Sequence, residues 1–182
     1  EMNAPNRKAV VLSNIANIYA SRDQNEEALE QYLEALEINK ELNNSSGLAG
    51  TYGNIATLYR ELEQYDKSLE YNKLALDINK KNKWIGDQAM NYYNIGNTYL
   101  FMKEYENAIE YFERSTQICK DLGIDVGLVY NYYGVGLAYY RNNKKELAEE
   151  YLMRSLNYAK KHKMSEAILK SCNKLYELHK QK

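Results

Sequence analysis

Asn14-Ile15-Ala16-Asn17-Ile18-Tyr19 decides the fold, because the chain writes it again at a fixed interval. Asn54-Ile55-Ala56 closes on Tyr59, Asn94-Ile95-Gly96 on Tyr99 and Gly134-Val135-Gly136 on Tyr139, each tyrosine 40 residues after the last. Self-similarity at a long fixed period marks a repeat protein. The second half of each unit recurs too, as Ala28-Leu29, Ser68-Leu69, Ala108-Ile109 and Leu147-Ala148, then Ala35-Leu36, Ala75-Leu76, Ser115-Thr116 and Ser155-Leu156.

Apolar residues fall three and four apart in both halves, the period of a helix that buries one stripe, so each unit reads as a helical hairpin. With a single proline, Pro5, and nine scattered glycines, the chain lacks the breakers that delimit strands, and the expected class is all-α. The pattern predicts first helices over 7–21, 47–62, 86–102 and 126–142, and second helices over 25–43, 65–82, 105–122 and 145–162. Four full repeats (7–45, 46–84, 85–124, 125–164) and a ninth helix over 165–182 make one repeat domain. Ser46, Asp125 and Ser165 are the expected N-caps.

Small residues explain how the hairpins close. Ala16, Ala56, Gly96 and Gly136 let the paired helix approach, Ala28, Ser68, Ala108 and Ala148 answer from it, and the tyrosines fill the wider space between repeats. A hairpin of this size cannot bury its apolar face alone, so neighbours must stack.

Ala16, Tyr19, Ala28 and Tyr32, with their counterparts along nearly the whole chain, resemble the tetratricopeptide pattern. The resemblance implies a right-handed superhelical α-solenoid whose first helices line a concave groove for a peptide or protein. Two features depart from it: the 40-residue unit, and the missing proline near Lys40, where the second helix continues. Long units of this kind resemble those of kinesin light chains, Rap-type peptide receptors and the sensory halves of bacterial two-component kinases. The resemblance implies a sensory or adaptor region of a bacterial signalling protein, cytoplasmic or periplasmic, and the start at Glu1 suggests a fragment.

With Ile15, Ala16 and Tyr19 buried, the neighbouring face carries Asn14 and Asn17, then Asn54, Thr57 and Glu61, then Met90, Asn94, Asn97 and Phe101, then Tyr130, Gly134, Leu137 and Arg141. Asn14, Asn54 and Asn94 form a ladder of amides able to donate to and accept from a peptide backbone, and the fourth rung is lost at Gly134. Two readings of the ladder stand, ligand contact and bonding to neighbouring helices. Tyr93, Tyr130, Tyr133 and Tyr140 load the later groove with aromatic area suited to side-chain recognition.

Twenty-four Lys and Arg against 25 Asp and Glu leave no basic excess for nucleic acid. Residues 23–43 hold seven acids and one lysine, and residues 157–182 seven lysines and two acids, read as solvated faces. Cys119 and Cys172 read as packing thiols. His162 and His179 read as solvated and without a nearby matching carboxylate or cysteine motif, so no catalytic residue, metal site or cofactor is expected. No apolar run is long enough to cross a membrane. Self-association through tyrosine-rich surfaces is the alternative function.

Overall fold

The computed structural model describes residues 4–180, and these are all-α. The helices are α1 (Ala4–Ala20), α2 (Asn25–Glu41), α3 (Ser45–Glu61), α4 (Tyr65–Lys81), α5 (Ile85–Phe101), α6 (Tyr105–Asp121), α7 (Asp125–Arg141), α8 (Lys145–Lys161) and α9 (Ser165–Lys180). Gln181 and Lys182, expected to end the ninth helix, lie outside the described residues.

From α2 onward each helix begins 20 residues after the last, so the 40-residue repeat is two helix-turn modules of equal length. The links enforce this period. Asp23, Asn43, Glu63, Lys83, Lys103, Gly123, Asn143 and Lys163 all take φ between 51° and 67°. The next amide then donates back five residues, as from Gln24 to Tyr19 O (3.0 Å), Gln64 to Tyr59 O (2.8 Å) and Lys144 to Tyr139 O (2.9 Å). Left-handed backbone costs a non-glycine residue roughly 1–2 kcal/mol; the same closing bond forms at every link, Ile124 to Cys119 O (2.8 Å) included, and only at Gly123 is there no such cost to offset.

Because the preceding helix sets the turn, the cap position is fixed whatever residue occupies it. Asn44, not Ser46, caps α3 by accepting from the Gly47 N–H at 3.1 Å. Ile124 occupies the α7 cap without a side-chain bond, and Asp125 and Ser165 begin their helices.

The chain divides into two compact units, Glu1–Trp84 and Ile85–Lys182. In the first, α1 pairs with α2 and α3 with α4, and α3 also packs on α1 and α2. In the second, α5 pairs with α6, α7 with α8, and α9 packs on α7 and α8. The small residues sit where the pattern placed them: Ala16, Ala28, Ala56, Ala108 and Ala148 are fully buried. A Cβ on Gly136 would stand 2.8 Å from Leu152 Cγ and 3.1 Å from the Leu152 backbone nitrogen, so only glycine lets α7 approach α8 there.

Three sequence expectations are corrected. Tyr59, Tyr99 and Tyr139 pack against Tyr71, Tyr111 and Tyr151, the second-helix tyrosines of their own hairpins, at centroid distances of 5.5, 5.4 and 5.6 Å. They therefore bond the hairpin internally as well as filling space beside it. Ile15 is 36% exposed, whereas Ile55 and Val135 are buried against the helices before them; among the described residues no helix precedes α1. Cys119 is buried, but Cys172 is exposed on α9.

Candidate functional site

Each unit carries a cleft on its first-helix face, and the two clefts lie at different registers of the same scaffold. In the first unit, α1, α2 and α3 enclose about 270 Å³ lined by Asn17, Ala20, Ser21, Tyr32, Asn54, Thr57, Leu58 and Glu61. Tyr32 is buried at its base and donates its hydroxyl to Asn17 Oδ1. Burial, and after it the Glu61 carboxylate, hold the Tyr32 hydroxyl above its ordinary pKa.

Eighty residues on, the same register is closed. Phe112 replaces Tyr32 and is fully buried. A Cβ on Gly134 would lie 2.7 to 2.9 Å from three atoms of its ring, and one on Gly96 would lie 2.9 Å from two. The missing fourth asparagine thus has a steric cause: the Phe112 ring occupies the place where a side chain at 134 would begin. Arg141 seals the rim, its guanidinium 5.9 Å from the Phe101 ring centroid and its Nη1 3.4 Å from Leu100 O, where a cation suits a helix C-terminus.

The second unit opens instead between α5, α6 and α7, in a narrow apolar cleft of about 110 Å³ lined by Gly86, Ala89, Met90, Tyr93, Ser115, Cys119, Ile124, Gly127, Tyr130 and Asn131. Tyr93 packs on Phe112 (5.7 Å) and on Tyr130 (6.4 Å), forming one wall. A Cβ at Gly127 would meet Cys119 Sγ at 2.5 Å, so α7 approaches α6 closely here. Burial raises the Cys119 thiol, outweighing its hydrogen bonds to Ser115 and Asn131, and leaves it a poor nucleophile. Asn131 donates to Ser115 Oγ at 2.9 Å, while its buried Oδ1 has no partner among the described residues.

In the first unit that register is filled by an asparagine network. Asn44 Nδ2 donates to Asn39 Oδ1 (2.8 Å) and Asn6 Oδ1 (3.0 Å), Asn39 Nδ2 to Thr51 Oγ1 (3.3 Å), and Thr51 to Gly47 O (2.8 Å).

The structure therefore sorts the sequence-predicted residues. Asn17 and Asn54 share the polar cleft, and Tyr93 and Tyr130 the apolar one. Asn14 is exposed on α1 and Asn94 half-buried on α5, outside both clefts. The side chains of Asn14, Asn54 and Asn94 have no hydrogen-bond partner among the described residues, whereas Asn97 donates to Tyr93 O at 3.2 Å. Tyr133 and Tyr140 turn toward α9: Tyr133 packs on the Leu152, Leu156 and Leu175 cluster, and Lys174 Nζ stands 4.9 Å from the Tyr140 ring centroid. Arg141 is committed to its own unit. The sequence reading sought site residues only along first helices, so Tyr32 entered only as part of the repeat pattern and Phe112 was not singled out, although the change from Tyr32 to Phe112 at one register of the second helices was a readable signal.

Both histidines are exposed, and each meets a carboxylate distant in sequence. His162 lies 2.9 Å from Asp125 and His179 3.0 Å from Glu149, carboxylates 37 and 30 residues away that no local motif reveals. Among the described residues no helix is long and apolar enough to cross a membrane.

Comparison with known proteins agrees with this architecture. The family model described as Tetratricopeptide repeat matches residues 7–81 and 87–161. Among solved structures, the chain is similar to aspartyl phosphate phosphatase F from Bacillus subtilis, with 23% identity and a TM-score of 0.83 over 93% of this chain and 45% of that one. It is similar to a Rap protein complexed with competence and sporulation factor, with 19% identity and a TM-score of 0.86 over 93% of this chain and 47% of that one. It is also similar to BtubC from P. vanneervenii, with 18% identity and a TM-score of 0.76 over 98% of this chain and 85% of that one. This chain spans under half the length of the two phosphatase and Rap structures, and at these identities the likeness is one of fold. No curated protein sequence matches the chain significantly.

Proposed function

Because this chain belongs to the tetratricopeptide repeat family, we propose that it is a binding scaffold that holds a peptide segment of a partner on the first-helix face within a unit. The observation that carries this reading is the unused amides of Asn14, Asn54 and Asn94, whereas the neighbouring asparagines Asn17 and Asn97 are engaged within the protein. An amide without an internal partner offers both a donor and an acceptor to a peptide backbone, and each such bond is worth about 0.5–1.5 kcal/mol. The apolar cleft beneath Tyr93 and Tyr130 supplies a place for a ligand side chain, with aromatic area at low entropy cost.

The Rap structure solved with competence and sporulation factor supports the same reading by likeness of fold. On this reading the chain is the sensory or adaptor region of a bacterial signalling protein, and the effector it controls lies elsewhere. The test is retention of peptides from a random library by the chain and by the triple variant Asn14→Ala, Asn54→Ala, Asn94→Ala. Peptides held by the parent and lost by the folded variant support the ladder; equal retention by both removes it.

A second reading, self-association, draws on exposed apolar side chains at α1 and α9. Val11, Ile15 and Ile18 are 54, 36 and 52% exposed, and Leu169 and Tyr176 60 and 67%. Most of the other tyrosines are packed in pairs inside hairpins, which moves this reading from tyrosine surfaces to the helix faces just named. A mass that rises with concentration supports it, and a constant monomer mass removes it.

A further inference from the structure

The polar cleft of the first unit has a chemical bias that its residue types alone do not show. Each aliphatic or phenolic hydroxyl lining it has its proton committed to an acceptor of the protein. Tyr32 donates to Asn17 Oδ1, Thr57 Oγ1 to Gly53 O at 3.1 Å, and Ser21 Oγ to Ile18 O at 2.8 Å. A hydroxyl that has spent its single proton offers only lone pairs to whatever enters. To these acceptors are added the free Asn54 amide oxygen and the Glu61 carboxylate, the sole acid lining the cleft, which has no ion-pair or hydrogen-bond partner among the described residues.

Ser21, Glu61 and Arg141 share one register of the repeat. Glu61 follows Ser21 by 40 residues and precedes Arg141 by 80. Ser21 is tied to its own helix and Arg141 to Leu100 and Phe101, so their chemistry is consumed internally. Glu61 is a charge at that register left facing a cleft.

We infer that the cleft between α1, α2 and α3 is a subsite for the cationic side chain of a lysine or arginine in the bound peptide, with Glu61 as counter-charge and Asn54, Thr57, Ser21 and Tyr32 as acceptors. An ammonium carries three donors and no acceptor and a guanidinium five donors and none, so both match the hydroxyl lone pairs, the Asn54 amide oxygen and the Glu61 carboxylate, against which the cleft sets only the amide nitrogens of Asn17 and Asn54 as donors. A carboxylate or phosphate finds repulsion from Glu61 and too few donors to replace its water. This subsite rests on the peptide-binding reading and adds to it a preference that reading does not contain.

The test is sequencing of peptides retained from a random library by the chain, by Glu61→Gln and by the charge reversal Glu61→Lys. Glu61 is exposed on α3, so both variants are expected to keep the native circular dichroism and unfolding midpoint. The expected result is enrichment of lysine or arginine at one peptide position by the parent. Glu61→Gln then weakens those peptides about tenfold, and Glu61→Lys shifts the preference at that position to aspartate or glutamate. Peptides retained without a basic preference, or a preference that survives Glu61→Gln, would overturn the cation subsite and leave peptide binding standing. Retention of no peptide overturns both.

Discussion

The two units use one scaffold and open it in opposite places. In the first, the register around Tyr32 is a polar cleft and the register around Asn39 and Asn44 is closed by amide bonds. In the second, Phe112, Gly134 and Arg141 close the counterpart of the cleft, while Met90, Tyr93, Cys119 and Tyr130 open an apolar one where the amides stood. The helices, links and small-residue contacts that set the geometry do not change between them. Repeat geometry and site chemistry are therefore carried by different positions, and one can be exchanged without disturbing the other.

The comparison breaks most directly at Phe112. Phe112→Ala should lower stability by about 3–5 kcal/mol in urea denaturation, since a fully buried ring would leave a cavity against Gly96 and Gly134. A loss below about 1 kcal/mol would mean the second unit is not closed by this ring. Putting the missing rung back is the next test: Gly134→Asn should cost about 1–3 kcal/mol by overpacking, and much less in a Phe112→Ala background. Equal cost in both backgrounds would break the link we draw between the ring and the glycine.

On the first unit, Asn44→Ala removes both the α3 cap and the centre of the amide network, with an expected loss of about 0.5–2 kcal/mol by the same measurement. Full retention of stability would show that this register needs no amides to stay closed. The smallest effect is expected from Tyr32→Phe, which deletes one hydroxyl donated to Asn17 and should cost about 0.5–1.5 kcal/mol. If it costs nothing, the hydroxyl is not holding Asn17 at the cleft, and the difference between Tyr32 and Phe112 is one of shape alone.

Much of this is legible in the sequence. The alternation of small and aromatic residues gave hairpins whose helices fall within three residues of those expected, because burial in a two-helix module leaves a strict periodic trace. Asn14, Asn54 and Asn94 are picked out by register alone, and their side chains have no hydrogen-bond partner among the described residues. Sequence could not tell them from Asn97, which bonds to Tyr93 O, since all four are asparagines on the same kind of helix. Nor could it see that Tyr133 and Tyr140 turn toward α9, because their partners there, Leu175 and Lys174, lie 42 and 34 positions away.

What the sequence by itself determined is the repeat: an interval of 40, two helices per interval, and small residues wherever helices touch. These follow from local periodicity and from the volume available at a helix contact, and both are written residue by residue. The tertiary structure alone decided which register of each unit is open. That choice depends on second-helix side chains meeting first-helix backbone, as Phe112 meets Gly134 and Tyr32 meets Asn17. It is a matter of contact between residues about 15 to 22 positions apart, for which no single helix's pattern holds the information.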